Sequence, residues 1–360
     1  MGNTRRALRG PLVFMEDERV GSEAPVELIS RARAWTRYWQ SGARHACAGS
    51  FQGHYGEATR AFWRAQFARV GVGDRVLELG CGNGSLIQWW VQCGAPWPDA
   101  INAVDLADLD LHWLAQLPAE LRARVHVHAR TSAQALPLAD ASVTHIYSQY
   151  ALEYFANERC WQELFRVMAP RVTVAAVVHH RDGYLCRLAR EEVLHCDWLL
   201  SEQGVLAQAA ALLPWWIAAA DPLVRQRIIG HAKAEQARAE FNKAMAQLNE
   251  RCARTQFPDL LRDTAERIMA ILQAAPTLGG TTAQCALDAL RADLADNRLR
   301  VAELVDAALD AGGLVAWQQH FLTAGFSVFD VSELIERDHL FGWTIVASRT
   351  QESRQTGRSP

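Results

Sequence analysis

The stretch that most constrains this chain is Arg75–Leu86, R-V-L-E-L-G-C-G-N-G-S-L. A short aliphatic run reads as a buried strand. The alternating glycines Gly80, Gly82 and Gly84 follow, and then Ser85-Leu-Ile-Gln-Trp-Trp-Val, which opens as a helix. Strand, glycine turn and helix start form the first half of a nucleotide-type βαβ unit. Glycine suits the turn because a Cβ there would block close approach of a ligand to the backbone.

The rest of the chain agrees with an α/β reading. Strands are predicted at Arg75–Leu79, Ala100–Val104, Val125–Ala129, Val143–Ser148 and Val172–His179. Helical patterns lie between them, at about Ser85–Cys93, Asp110–Leu117 and Ala156–Met168. Strands alternating with helices argue for a mostly parallel sheet with crossover helices. The pattern stops near Arg181. From about Glu191 to Ala275 the sequence forms helices, Pro276-Thr-Leu-Gly-Gly-Thr-Thr reads as a linker, and Ala283–Ala311 is helical again. Strand signals resume only at Phe326–Val331 and Trp343–Ser348. The expected fold is therefore a Rossmann-like seven-stranded sheet with a large helical insertion before the last two strands. The expected segments are a flexible N-terminus over 1–24, a helical and aromatic lid arm over 25–72, and a core over 73–182. A helical cap over 183–310, completion of the core over 311–349 and a disordered tail over 350–360 follow.

Bulk properties remove several function classes. Half of the 360 residues are apolar and 21% are charged, which suits a globular chain that buries a core. A net charge of -3 gives no electrostatic case for a nucleic-acid partner or an anionic membrane. No run approaches the ~20 apolar residues of a spanning helix. The eight cysteines show no C-x-x-C and no zinc-type spacing, so no metal centre is expected and reduced thiols in a cytoplasmic protein are. The thirteen tryptophans favour an aromatic-lined site.

Glu78-Leu-Gly-Cys-Gly-Asn-Gly departs from the dinucleotide pattern G-x-G-x-x-G. It resembles the first motif, E/D-x-G-x-G-x-G, of class I S-adenosylmethionine (SAM)-dependent methyltransferases. Asp105 ends the second strand, where that family places an acid for the ribose hydroxyls. The stretch from Ser132 through Leu136-Pro137 to Ser148 and Leu152, and Ala324-Gly325-Phe326, also resemble family stretches. Ser132 stands where the family often has an aspartate, and Thr144 replaces another. The resemblance implies SAM as cofactor. Glu78, Gly80, Cys81, Gly82 and Gly84 would hold its methionine end. Asp105, Leu106, Ser132 and Ala133 would hold ribose and adenine, and Ser148, Gln149 and Tyr150 would face the sulfonium.

SAM carries its own leaving group, so positioning supplies most of the rate, and a base is needed only where the acceptor must lose a proton. His179 and His180, at the end of the fifth strand, are candidate bases, with Tyr150 as a further catalytic candidate. Glu153 and Tyr154, together with Tyr38, Phe51 and Tyr55 of the arm, are candidate substrate or lid residues. Trp198, Trp215 and Trp216 would give the cap an aromatic interior. The leading expectation is O- or N-methylation of a small-molecule or natural-product acceptor held between core and cap. Two alternatives stand beside it. One is a SAM-consuming reaction that releases methylthioadenosine, by aminocarboxypropyl transfer or closure to azetidine-2-carboxylate. The other is a non-catalytic SAM-binding regulator or assembly module. A homodimer is left open.

Overall fold

A computed structural model describes residues 25–43 and 56–350, and the expectations for 1–24, for Phe51 and Tyr55, and for the tail beyond Thr350 fall outside them. Two helices come first, α1 (Pro25–Gln40) and α2 (Glu57–Phe67). An alternating run follows: β1 (Arg75–Leu79), α3 (Ser85–Cys93), β2 (Ala100–Val104), a 3₁₀ turn at His112–Gln116, α4 (Ala119–Arg122) and β3 (Val125–His128). It continues through β4 (Val143–Gln149), a 3₁₀ turn at Leu152–Tyr154, α5 (Glu158–Val167) and β5 (Met168–His179). Six consecutive helices come next: α6 (Tyr184–Leu200), α7 (Val205–Ala218), α8 (Pro222–Ile228), α9 (Ala232–Arg254), α10 (Asp259–Leu278) and α11 (Gly280–Ala307). The chain ends with α12 (Ala311–Thr323), β6 (Val328–Glu336) and β7 (His339–Arg349).

The strands form one seven-stranded sheet in the order β3-β2-β1-β4-β5-β7-β6. The pairings among the first five strands are parallel, and β7 runs antiparallel to both β5 and β6. Alternation along β1 explains why helices cover both faces. Leu77 and Leu79 pack on one side with Ile146, Val174, Trp317 and Phe321. Val76 packs on the other with Trp63, Phe67, Trp90 and Tyr147, where the rings of Phe67 and Trp90 stack at 4.4 Å.

Several boundaries differ from the sequence reading, among them the last two strands, which run longer than expected. The predicted helix over 110–117 is a 3₁₀ turn followed by the short α4. α5 stops before Met168, because Pro170 disfavours helical backbone at Ala169 and starts β5 early. Phe326 precedes β6; it is buried against Phe321 at 4.9 Å and anchors the turn at Gly325. The expected linker at Pro276 is the last turn of α10. Proline leaves the carbonyl four residues back without its helical donor. Here that carbonyl, on Leu272, accepts from Trp216 Nε1 at 2.7 Å, so the helix persists.

Helices α6, α7, α9, α10 and α11 share an apolar core of their own, including Leu199, Leu206, Leu248, Ile268 and Leu287. Their entry and exit are tied together beside the sheet. Leu309 N–H donates to His179 O at 2.9 Å and Arg181 N–H to Leu309 O at 2.9 Å. α1 rests on α11 through the ion pairs Arg31–Glu303 and Arg37–Asp296. α2 is fixed to the sheet edge by Glu336, whose Oε1 accepts from Thr59 N–H at 2.7 Å and Thr59 Oγ1 at 2.8 Å. Among the described residues no helix is long and apolar enough to cross a membrane.

Candidate active site

The strand order reverses between β1 and β4, and such a reversal opens a crevice at the C-terminal strand ends. The glycine turn lies there. Gly80 and Gly82 adopt φ +66° and +48°, the left-handed backbone region that favours glycine. A Cβ on Gly80 would lie 2.2 Å from that of Ala151, and one on Gly82 would lie 2.6 Å from the Trp39 ring. Gly84 caps α3 with Trp113 against it.

The crevice at this point is lined by Glu78, Gly80, Cys81, Asp105, Leu106, Ser132, Ala133, Gln149, Tyr150 and Tyr154, all of them residues singled out from sequence. Asp105 holds the turn. Its Oδ2 accepts from Gly82 N–H at 2.9 Å and its Oδ1 from Ala107 N–H at 2.8 Å. Burial raises its pKa against the pull of those amides. Among the described residues Glu78 has no such support. Burial, and then the neighbouring Asp105, push its carboxyl up to about 8. Burial likewise keeps the Cys81 thiol protonated, so it is not a nucleophile at neutral pH. Gln149 is oriented by Trp63, whose Nε1 donates to its Oε1 at 2.6 Å. Tyr150 has φ +52°, a strained value for a bulky residue, and its N–H donates to Val177 O at 2.6 Å.

Five expected site residues stand elsewhere. Ser148 is buried and spent on the backbone: its Oγ donates to Leu79 O at 3.1 Å and accepts from Leu152 N–H at 3.0 Å. Glu153 and His179 form a buried pair behind Tyr150. Glu153 Oε1 lies 2.7 Å from His179 Nδ1 and accepts from His179 N–H at 2.9 Å, with both side chains at 0% exposure. The His179 ring packs against Tyr150 at 4.4 Å and meets Tyr154 edge-on. His180 stacks on Trp343 at 4.3 Å, at the joint where the six helices leave the sheet, and its Nδ1 accepts from Asp182 N–H. Tyr38 lies beneath the guanidinium of Arg300, 3.8 Å from the ring centroid.

The other wall comes from α1, within the aromatic arm expected over 25–72. Arg31, Trp35 and Trp39 of α1 line the crevice, and their four-residue spacing was the available signal. The insertion's tryptophans do not line it. Trp198 carries Arg251 on its face, Trp215 packs on His231, and Trp216 bonds Leu272.

A methyltransferase-domain family model matches residues 76–171, the segment from β1 into β5 that carries the glycine turn, Asp105 and Tyr150. Over that segment the chain is similar to the methyltransferase-domain family, in line with the resemblance of its motifs to class I SAM-dependent methyltransferases. Over 121 residues the chain is 34% identical to an uncharacterised methyltransferase of Schizosaccharomyces pombe, a match covering 34% of this chain and 45% of the relative. Over 148 residues it is 30% identical to a malonyl-[acyl-carrier protein] O-methyltransferase of Pseudescherichia vulneris, covering 39% of this chain and 55% of that one. The chain thus spans about half the length of these curated relatives. A crystal structure of a SAM-dependent methyltransferase from Aquifex aeolicus is also similar, with 15% identity and a TM-score of 0.32 over 41% of this chain and 74% of that one. That likeness concerns the fold and carries no weight for activity. SAM is the cofactor of such methyltransferases, and the lining fits it: two buried carboxyls, Glu78 and Asp105, stand in the crevice beside the glycine turn, suited to an ammonium and to ribose hydroxyls.

Proposed function

We propose that the chain transfers the methyl group of SAM to an oxygen or nitrogen of a small-molecule acceptor held between the sheet and α1, not under the helices of residues 183–310 as expected from sequence, none of whose residues lines the crevice. The observation that carries this reading is the crevice at the β1–β4 reversal, where Glu78, Gly80 and Asp105 face the aromatic stripe of α1. When bound, SAM supplies an electrophilic methyl group on a sulfonium that leaves as a neutral thioether. Glu78, as a carboxylate, accepts from the cofactor's ammonium. Asp105 accepts from the ribose hydroxyls while it keeps the turn in place. The backbone at Ser132 and Ala133 borders the adenine. The faces of Trp35, Trp39 and Tyr150 suit a cation, each worth ~0.5–2 kcal/mol when desolvated.

Among the described residues, no histidine or lysine lines the crevice. Positioning therefore dominates in this reading, and His179 acts on Tyr150 and Tyr154 as support rather than on the acceptor. The name of the Pseudescherichia relative is in keeping with an oxygen acceptor. The proposed compartment is the cytoplasm. The test is incubation with methyl-labelled SAM and a panel of small acceptors, followed by identification of the nucleoside. Label transfer with adenosylhomocysteine as product supports the reading. Methylthioadenosine as product would replace it with chemistry at another carbon of SAM.

A further inference from the structure

Gln149 turns one fixed pole toward the crevice. The indole Nε1–H of Trp63 is a donor with no acceptor capacity. It meets Gln149 Oε1 at 2.6 Å, so the amide oxygen faces α2 and the NH2 group faces away from it. The indole is held against movement. Trp63 is fully buried, edge-on to Tyr147 at 5.4 Å and stacked on Phe67 at 5.9 Å. Its helix is pinned to the sheet by Glu336 through Thr59, and by Tyr147 Oη, which donates to Gln66 O at 3.1 Å. Gln149 lines the crevice and Trp63 does not. Among the described residues the Gln149 NH2 has no hydrogen-bond partner.

The register sets this amide beside Glu78. Glu78 pairs with Tyr147, and Gln149 lies two residues further along β4, on the same face of the sheet. The methionine of SAM carries its ammonium and its carboxylate on one carbon. With the ammonium on Glu78, the carboxylate stands close to that carboxyl and needs donors there. The glycine turn has spent its own. The N–H groups of Gly80 and Cys81 donate to Val104 O, that of Gly82 to Asp105 and that of Gly84 to Cys81 O. Arg31, the cation of the lining among the described residues, lies on α1 and is engaged by Glu303. An amide NH2 is the wrong pole for a sulfonium, whose positive charge repels it, and the right one for a carboxylate.

We propose that the Gln149 NH2 donates to the carboxylate of the cofactor's methionine, and that Trp63 is the positioning residue that holds the amide in the orientation this requires. This rests on the methyl-transfer reading above. Glu78 and Gln149 then take the two charged groups of one amino acid, and the sulfonium is left to the aromatic faces of the crevice.

The test titrates the full chain calorimetrically with S-adenosylhomocysteine and with its decarboxylated analogue, S-adenosylthiopropylamine, which keeps the ammonium and lacks only the carboxylate. The wild-type chain should bind S-adenosylhomocysteine tenfold or more tighter than the analogue. Gln149→Leu should cut that preference to threefold or less while changing affinity for the analogue by less than twofold. Gln149→Glu, which sets a carboxylate against the ligand's own, should reverse it. Trp63→Phe keeps a ring and removes the N–H; it should lower the preference at least threefold, again with the analogue within twofold. A packing role would weaken both ligands equally, and that result in either position would overturn the proposal. A wild-type chain that does not distinguish the two ligands would overturn it as well. A preference that survives Gln149→Leu would do the same, and its loss in Arg31→Met would then give the carboxylate to α1. An unchanged preference in Trp63→Phe would overturn the positioning role; where that variant fails to fold, the two Gln149 variants decide. Wild-type chain that binds neither SAM nor S-adenosylhomocysteine would sink the methyl-transfer reading itself.

Discussion

Glu78, in β1, and Glu153, just past β4, are both buried at the C-terminal end of the same sheet, yet their surroundings are opposite. Glu153 meets an imidazole nitrogen and a backbone N–H of His179 within 2.9 Å. Glu78 has no such donors among the described residues; burial, and then the nearby charge of Asp105, raise its pKa to about 8. A buried acid with donors around it is part of the frame. A buried acid without them is costly to ionise until a cation arrives. The comparison separates structural from ligand-facing acids where burial alone does not. It also explains why a histidine at a strand end, which reads from sequence as a base, serves as a packed partner for two tyrosines.

The comparison can be broken by exchanging the two roles. Glu153→Ala should have the largest effect on the fold, removing two buried hydrogen bonds for a loss of about 3 kcal/mol in denaturant unfolding. An unchanged midpoint would show that the pair is not structural. Glu78→Gln should behave in the opposite way. It should weaken SAM by about 2 kcal/mol, the worth of a charge-assisted hydrogen bond, without lowering the stability of the ligand-free chain. Asp105→Asn should be milder, near 1 kcal/mol in SAM affinity, because the amide oxygen still accepts one of the two backbone bonds. The smallest effect concerns pH. The Glu78 pKa is raised from 4.5 to about 8, so the folded chain holds a proton there that the unfolded chain has released. Stability of the ligand-free protein should therefore fall as pH rises between those values, and melting temperatures of Glu78→Gln should fall less steeply over the same range.

Much of the core was legible because its signals are local. Arg75–Leu79, Ser85–Cys93 and Ala100–Val104 form the elements their patterns predict, since a strand, a glycine turn and a helix start depend on neighbouring residues. Gly80, Asp105, Ala133 and Tyr150 reach one crevice because parallel strands deliver their C-terminal ends to one edge. What escaped depends on distant partners. The helix through Pro276 needs Trp216, sixty residues earlier, to satisfy Leu272. Ser148 reads as a cofactor contact, but the carbonyl of Leu79 and the amide of Leu152 occupy its hydroxyl. The spacing of Arg31, Trp35 and Trp39 was visible as a helical face. Which surface that face covers depends on α11 and the glycine turn, which no local pattern reports.

The most direct test is calorimetric titration of the wild-type chain with SAM at pH 7, in two buffers of different ionisation enthalpy. One SAM per chain should bind with net release of up to about one proton, as Glu78 ionises beside the cofactor's ammonium. Glu78→Gln should bind more weakly and release none. Failure of the wild-type chain to bind SAM, or binding that exchanges no proton and is indifferent to Glu78→Gln, would contradict the assignment of this crevice.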